Sequence, residues 1–318
     1  MLRFTALVLF ALISLNVQAT NHAATNSDQK AVLVTGASSG LGRVMTEAMA
    51  AQGYFVYAGA RKDQDIEELN GIENVQAIRL DVNKPEQIDA AVQTITQAGR
   101  GLYGLVNNAG VVVLKPLIEI DPEDFHFQMN VNIYGPYRVT RAFAPLIIES
   151  KGRISIIGSI AGTLSSATWG PYSMTKHAME AYADALKAEM SKFDVHVSLI
   201  EPGTYKSKIA ESALSRMEQR NQTIKDSQFQ AEMSESVNWL AAFQETSGDP
   251  AEVAEVVIHA LSDDTPKSRY LIVPNQEQAH WTINRAMERL AEQNAGHEFS
   301  FDRETLIEML DASLAKQN

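Results

Sequence analysis

Cysteine is absent from the 318 residues, which excludes disulfides, thiolate metal sites and a cysteine nucleophile. Basic residues are in short supply. Lys and Arg number 27 against 39 Asp and Glu, giving a net charge of -12, so neither nucleic acid nor an anionic membrane surface is expected as the main partner. The seven histidines are scattered without metal-ligand spacing, and no metal is expected. Internal repeats and low-complexity segments are also missing. So is any apolar run of the ~20 residues that a membrane-spanning helix needs. The longest, Phe4 to Leu15, follows Arg3 and leads to Val17-Gln18-Ala19, a small-residue end that a signal peptidase accepts. Residues 1–19 are therefore expected to be a secretory signal, with export to a periplasm or secretory lumen. An uncleaved membrane anchor is the alternative. Residues 20–30 form a polar linker.

What is present is an ordinary globular composition, 45% apolar and 21% charged, enough for one large α/β domain. From residue 31, short β-branched runs alternate with longer amphipathic stretches, the pattern of βαβ units on a parallel sheet. Seven strands are predicted at 31–35, 54–58, 75–80, 102–106, 153–158, 195–200 and 270–273, with helices at about 41–52, 85–98, 122–150, 171–192 and 250–261. Residues 204–248 are too long for a plain connection and read as a helical lid over a pocket. Beyond Pro274, residues 276–318 should add two amphipathic helices that pack on the domain or on a second subunit. The expected fold is a doubly wound Rossmann sheet over 31–275, with that lid and that C-terminal extension.

Directly after the first strand stands Thr35-Gly36-Ala37-Ser38-Ser39-Gly40-Leu41-Gly42. Three glycines at a strand-to-helix junction allow a tight turn and close approach of a pyrophosphate, and the free N–H groups of the helix start attract its charge. At the end of the second strand, where a carboxylate would hold the ribose of NAD, the chain has Ala60-Arg61-Lys62. Arg61 suits a 2'-phosphate, so NADP(H) is the preferred cofactor. Asp63 and Asp65 follow closely and keep NAD(H) possible. Further on, Tyr172 and Lys176 are four apart, one turn of a helix, where an ammonium can lower the pKa of a phenol from its usual value near 10.

With these residues in place the chain resembles the short-chain dehydrogenase/reductase family over roughly residues 30–275. The likeness also includes Asp81-Val82, Asn107-Asn108-Ala109-Gly110, Asn132, Ser159 thirteen residues before Tyr172, and Pro202-Gly203-Thr204. It implies that Asp81 and Val82 flank an adenine, that Asn108, Ala109 and Gly110 line the cofactor groove, and that Thr204, after Pro202, meets the nicotinamide amide. It implies a catalytic group of Asn132, Ser159, Tyr172 and Lys176, with Lys176 on the nicotinamide ribose and Asn132 holding a water that leads to Lys176. The implied reaction is hydride transfer between nicotinamide and a ketone, aldehyde or secondary alcohol.

A pocket formed by Val111 to Leu114, Ala167 to Gly170 and lid residues such as Ile209, Leu214 and Met217 is largely apolar and offers no arginine fork, so a small apolar substrate is expected. The stretch from Asp249 to Val257, with Lys267 to Leu271 beyond it, resembles the branch containing steroid and retinol dehydrogenases. The family likeness also implies a homodimer or homotetramer. A non-catalytic dinucleotide-binding sensor of the same fold is the alternative function.

Overall fold

The computed structural model describes residues 29–316. The expected signal or anchor, and with it the expectation of export, lies outside the described residues. Seven strands form one parallel sheet in the order β3-β2-β1-β4-β5-β6-β7. They are β1 (Ala31–Thr35), β2 (Phe55–Ala60), β3 (Val75–Arg79), β4 (Gly104–Asn107), β5 (Arg153–Ile157), β6 (His196–Pro202) and β7 (Arg269–Ile272). The order reverses between β1 and β4, and the crevice beyond their carboxyl ends is where such sheets take ligands.

Both faces of the sheet are covered, which is why the strand sequences are nearly continuous apolar runs, buried at all five positions in β1. One face packs Leu33, Leu105, Ile154 and Leu199 against α3 (Pro85–Ala98), α5 (Gly135–Glu149) and α6 (Gly170–Met190). The other packs Val32, Val34 and Val106 against α1 (Gly40–Ala51) and α9 (Pro250–Ser262). Phe143 of α5 is wholly buried in the first layer, and its truncation to alanine should cost about 3–5 kcal/mol. A short α2 (Asp63–Asn70) follows β2, where no helix was predicted; only Leu69 of its eight residues is buried, so its apolar signal is weak.

The single helix expected over 122–150 is divided. α4 (Pro122–Met129) passes into a π-helical turn, Asn130–Tyr134, before α5 begins. Pro136 explains the break, because its missing N–H and its ring deny a regular bond to the carbonyl four residues back. The Gly135 N–H reaches Asn130 O instead, one residue further, and the widened turn carries Asn132.

The lid contains α7 (Ile209–Gln219) and α8 (Gln230–Thr246). Its two stems are joined, with Gly248 N–H donating to Thr204 O at 3.0 Å and Lys206 N–H to Gly248 O at 3.1 Å. The C-terminal helices are α10 (Gln276–Asn294) and α11 (Arg303–Ala315); α10 buries Gln278 and Thr282, and α11 buries none of its residues. Among the described residues no helix is long and apolar enough to cross a membrane.

Candidate active site

A crevice of about 1710 Å³ runs along the carboxyl ends of the strands, from the turn after β1 to the lid. Its floor is built by glycine. Gly36 and Gly40 adopt φ of +67° and +54°, which side chains rarely accept. A Cβ on Gly42 would stand 2.1 Å from Gly36 O and 2.5 Å from Asn108 Nδ2, so helix, turn and β4 meet there with no space for a methyl group. Asn108 secures this junction by donating to Thr35 O at 2.9 Å and to Gly36 O at 3.2 Å, while Thr35 Oγ1 accepts from the Asn108 and Ala109 amides, each at 3.0 Å. Ser39 caps α1 in extended backbone, and its side chain makes no cap hydrogen bond. Narrow walls and amide donors at a helix start fit a dinucleotide pyrophosphate.

At the end of the crevice beside β2, Arg61 is exposed and lines the wall with Lys62, Asp65, Asp81 and Val82. Asp63 is paired with Arg79, whose guanidinium also donates to Arg61 O at 2.6 Å. The carboxylate nearest Arg61 in sequence is thus engaged elsewhere, and the Arg61 backbone is held. Asp81 closes its own turn by accepting from Asn83 N–H at 2.9 Å.

At the other end the structure brings Ser159, Tyr172 and Lys176 together. Ser159 stands two residues beyond β5 and caps the 3-10 turn Ile160–Gly162, its Oγ accepting from Ala161 N–H at 3.1 Å. The Ser159 side chain is near enough to the Tyr172 phenol to favour its ionised form. Lys176 Nζ donates to Ile157 O at 2.9 Å and lies 5.6 Å from the centre of the Tyr172 ring. Tyr172 and Lys176 are each 8% exposed, and this burial decides their charges. It pushes the phenol up to about 12, against the lowering by the Ser159 side chain. It draws the ammonium down to about 8, opposed by Glu180. In this structure burial dominates the phenol, and the ammonium is itself weakened by the same burial.

Asn132 lies on the π-turn, and its side-chain amide joins two segments beside this group. Its Oδ1 accepts from Val111 N–H at 2.8 Å, and its Nδ2 donates to Val111 O at 2.9 Å and to Thr175 Oγ1 at 3.0 Å. It clamps the segment after β4 to α6. Thr204 is likewise engaged, by a residue that no sequence signal identified. Its N–H donates to Gln278 Oε1 at 3.0 Å and its Oγ1 accepts from Gln278 Nε2 at 2.6 Å, so α10 grips the turn that follows Pro202. Ser207 packs against Gly40, 3.0 Å from the position of a Cβ there.

The substrate end is walled by an aromatic ladder. Trp169 meets Tyr172 with ring centres 6.1 Å apart and Trp239 at 5.1 Å, and Trp239 meets Phe243 at 5.1 Å, all near edge-to-face. Trp239 and Phe243 come from α8 and were not foreseen. Val111, Val112, Ala167, Trp169 and Ile209 line the crevice as expected, but Val113, Leu114, Thr168, Gly170, Leu214 and Met217 do not. Leu114 and Leu214 instead fill the apolar cluster under the lid, and Gly170 faces Leu117. Arg216 does reach the crevice, yet its guanidinium is bound to the fully buried Asp124 and stacked 3.8 Å over the Phe127 ring. Among the described residues no cluster of side chains suits a metal ion.

Comparisons with known proteins agree with this geometry. The sequence model of the family described as short chain dehydrogenase matches residues 30–218. The mitochondrial D-beta-hydroxybutyrate dehydrogenase of Bos taurus is 34% identical over 265 residues, 76% of this chain and 76% of that protein. Retinol dehydrogenase 16 of Homo sapiens is 31% identical over 255 residues, 76% and 80% of the two chains. Among solved structures, a short chain dehydrogenase/reductase from Burkholderia phymatum in complex with NAD superposes with a TM-score of 0.72 at 24% identity, covering 86% of this chain and 99% of that one. A short chain dehydrogenase from Burkholderia cenocepacia in complex with NADP gives 0.64 at 23%, covering 83% and 96%.

Proposed function

Because the chain belongs to the short-chain dehydrogenase family, in the branch that contains the retinol dehydrogenases, we propose that it is an NADP(H)-dependent oxidoreductase for apolar ketones, aldehydes or secondary alcohols. The observation that carries this reading is the meeting of Ser159, Tyr172 and Lys176 in the same crevice as the glycine turn. The two relatives named as dehydrogenases, and the NAD and NADP complexes of the structural neighbours, support a nicotinamide cofactor. Arg61, exposed beside the cofactor crevice while Asp63 is held by Arg79, favours the 2'-phosphate of NADP. The glycine turn would hold the pyrophosphate, Asp81 and Val82 would flank the adenine, and Lys176 would bind the nicotinamide ribose.

When bound, the cofactor supplies or accepts the hydride. The chain supplies position and a proton. In reduction, the Ser159 hydroxyl donates a hydrogen bond to the carbonyl oxygen and the Tyr172 O–H gives its proton to the same oxygen as negative charge develops there. A phenol held near 12 is protonated at neutral pH, the form this step requires. The Lys176 ammonium, near the ring, favours the phenolate left behind. Trp169, Trp239 and Phe243 offer an aromatic wall that suits an apolar body rather than a sugar phosphate.

Oxidation of NADPH with a panel of apolar ketones and aldehydes, read at the nicotinamide absorbance, tests the proposal. Turnover of at least one is expected, with NADPH preferred over NADH. Tight NADPH binding with no turnover across the panel would favour a dinucleotide sensor instead.

A further inference from the structure

One turn further along α6 from Lys176 stands Glu180, so Tyr172, Lys176 and Glu180 recur every four residues on one helix face. Glu180 Oε2 accepts from the Arg269 guanidinium at 2.7 and 3.1 Å. The same guanidinium lies 3.3 Å from Asp184 and 3.5 Å from Glu201. The charged groups here are Lys176, Glu180 and Asp184 from α6, Glu201 from β6 and Arg269 from β7. Three carboxyl groups therefore converge on a single guanidinium.

Glu201 is only 4% exposed. Glu180 Oε1 is buried and receives no hydrogen bond from any donor of the ionised chain, while the Glu180 and Glu201 carboxyl groups meet on the same Arg269 guanidinium, at 2.7 and 3.5 Å. Two ionised carboxylates cannot bond to each other; one proton between them makes a donor and satisfies the contact. With that proton in place, the positive charges of Lys176 and Arg269 match the negative charges of the Glu180–Glu201 pair and Asp184. Burial and the neighbouring Glu180 carboxylate push Glu201 up to about 8, in keeping with this arrangement.

The pair also touches all three segments of the reaction centre. A Cβ on Gly162 would stand 2.4 Å from Glu180 Oε1, so Glu180 fills the space beneath the turn that Ser159 caps. Glu201 directly precedes Pro202, Gly203 and Thr204. Lys176 stands one helical turn before Glu180 on α6.

We propose that Glu180 and Glu201 share one proton and act as a positioning pair that keeps Lys176 in its ammonium form beneath the cofactor ribose. Glu180 supplies the opposing charge. Glu201 holds the proton that keeps the cluster neutral and, on losing it at alkaline pH, adds a second negative charge that retains the Lys176 proton longer.

This inference rests on the assignment of Lys176 to the ribose, so its readout is cofactor affinity rather than turnover. NADPH fluorescence titrations between about pH 6 and 10 should show affinity falling through a midpoint as Lys176 deprotonates. Glu180→Gln should move that midpoint down by about one pH unit and leave affinity at the acid end within about twofold of the parent. Glu180→Asp should restore it to within about half a unit, and Glu201→Gln should lower it by about half a unit. A midpoint unmoved in both glutamine variants, or a parental curve that is flat across the range, overturns the proposal. If Glu180→Gln does not fold, Glu201→Gln decides by the same midpoint. Absence of carbonyl turnover with the midpoint shifts intact would sink the oxidoreductase reading and leave the pair standing.

Discussion

A methyl group at position 42 tests the glycine cradle most directly. Gly42 lies within α1, where propensity alone favours alanine by about 1 kcal/mol. The structure opposes it. The new Cβ would lie 2.1 Å from Gly36 O and 2.5 Å from Asn108 Nδ2, and to reach even 3.0 Å from that carbonyl the turn or the helix must move by 0.9 Å, the difference of 3.0 and 2.1. Neither neighbour is a flexible chain end, since one is backbone and the other is held by Thr35 O and Gly36 O. Overpacking costs about 1–3 kcal/mol, and losing one or two Asn108 hydrogen bonds about 1 kcal/mol each. Against the gain of about 1 kcal/mol from helix propensity, the net loss is about 1–4 kcal/mol, or several degrees in Tm. Because the displaced atoms form the floor of the crevice, NADPH affinity should fall about tenfold or more, equivalent to about 1.4 kcal/mol. Thermal unfolding and NADPH fluorescence titration measure the two effects. Gly53→Ala is the control, with φ of +88° but nothing within 4 Å of the new Cβ, and it should lower Tm slightly without changing Kd. Parental Tm and Kd in Gly42→Ala would refute the claim that this turn is the phosphate site.

Tyr172→Phe should lower kcat by at least about a hundredfold with NADPH affinity preserved, measured by steady-state kinetics beside fluorescence titration; near-parental turnover would remove the phenol from the mechanism. Arg61→Asp should reduce the ratio of kcat/KM for NADPH over NADH by about 10- to 100-fold, the worth of one charge-assisted contact, and an unchanged ratio would refute the phosphate assignment. Asp124 accepts from Gln222 at 2.8 Å as well as from Arg216, and Glu119 holds Ser227 at 2.7 Å, so acidic residues before and within α4 fasten the lid. Asp124→Asn should therefore raise KM for the carbonyl and speed proteolysis near residues 220–229, with a cost up to about 3–5 kcal/mol for the broken buried pair. Glu201 is raised from 4.5 to about 8 in the fold, so its contribution to stability is complete below its unfolded value and is lost as pH rises through about 8. Lys176, lowered from 10.5 to about 8, acts in the opposite sense, contributing fully above its unfolded value and losing that contribution as pH falls through about 8. In Glu201→Gln the decline of Tm between about pH 5 and 8 should flatten, and an unchanged slope would refute a raised Glu201.

How much of this was legible in the amino-acid order differs from one element to the next. β1 and α3 have the same limits in sequence and structure, because a continuous apolar run and a proline-led amphipathic stretch are local signals. The break at Asn130–Tyr134 was also encoded, in Pro136, but the surrounding apolar spacing masked it. Helix α2 left almost no apolar trace, since it sits on the surface with one buried side chain.

The order of residues by itself determined the parallel α/β architecture, the glycine turn and the Tyr172–Lys176 spacing, because periodicity, chain turns and helical spacing act over a few residues and need no partner; Ser159 came from the family resemblance. Tertiary structure alone decided which side chains these residues meet. Gln278 reaches Thr204 across 74 residues of chain and Arg269 reaches Glu180 across 89, and contacts at such separations leave no local pattern. The charges of Tyr172 and Lys176 were decided there too, since desolvation depends on everything packed around a group and not on the neighbour four residues away.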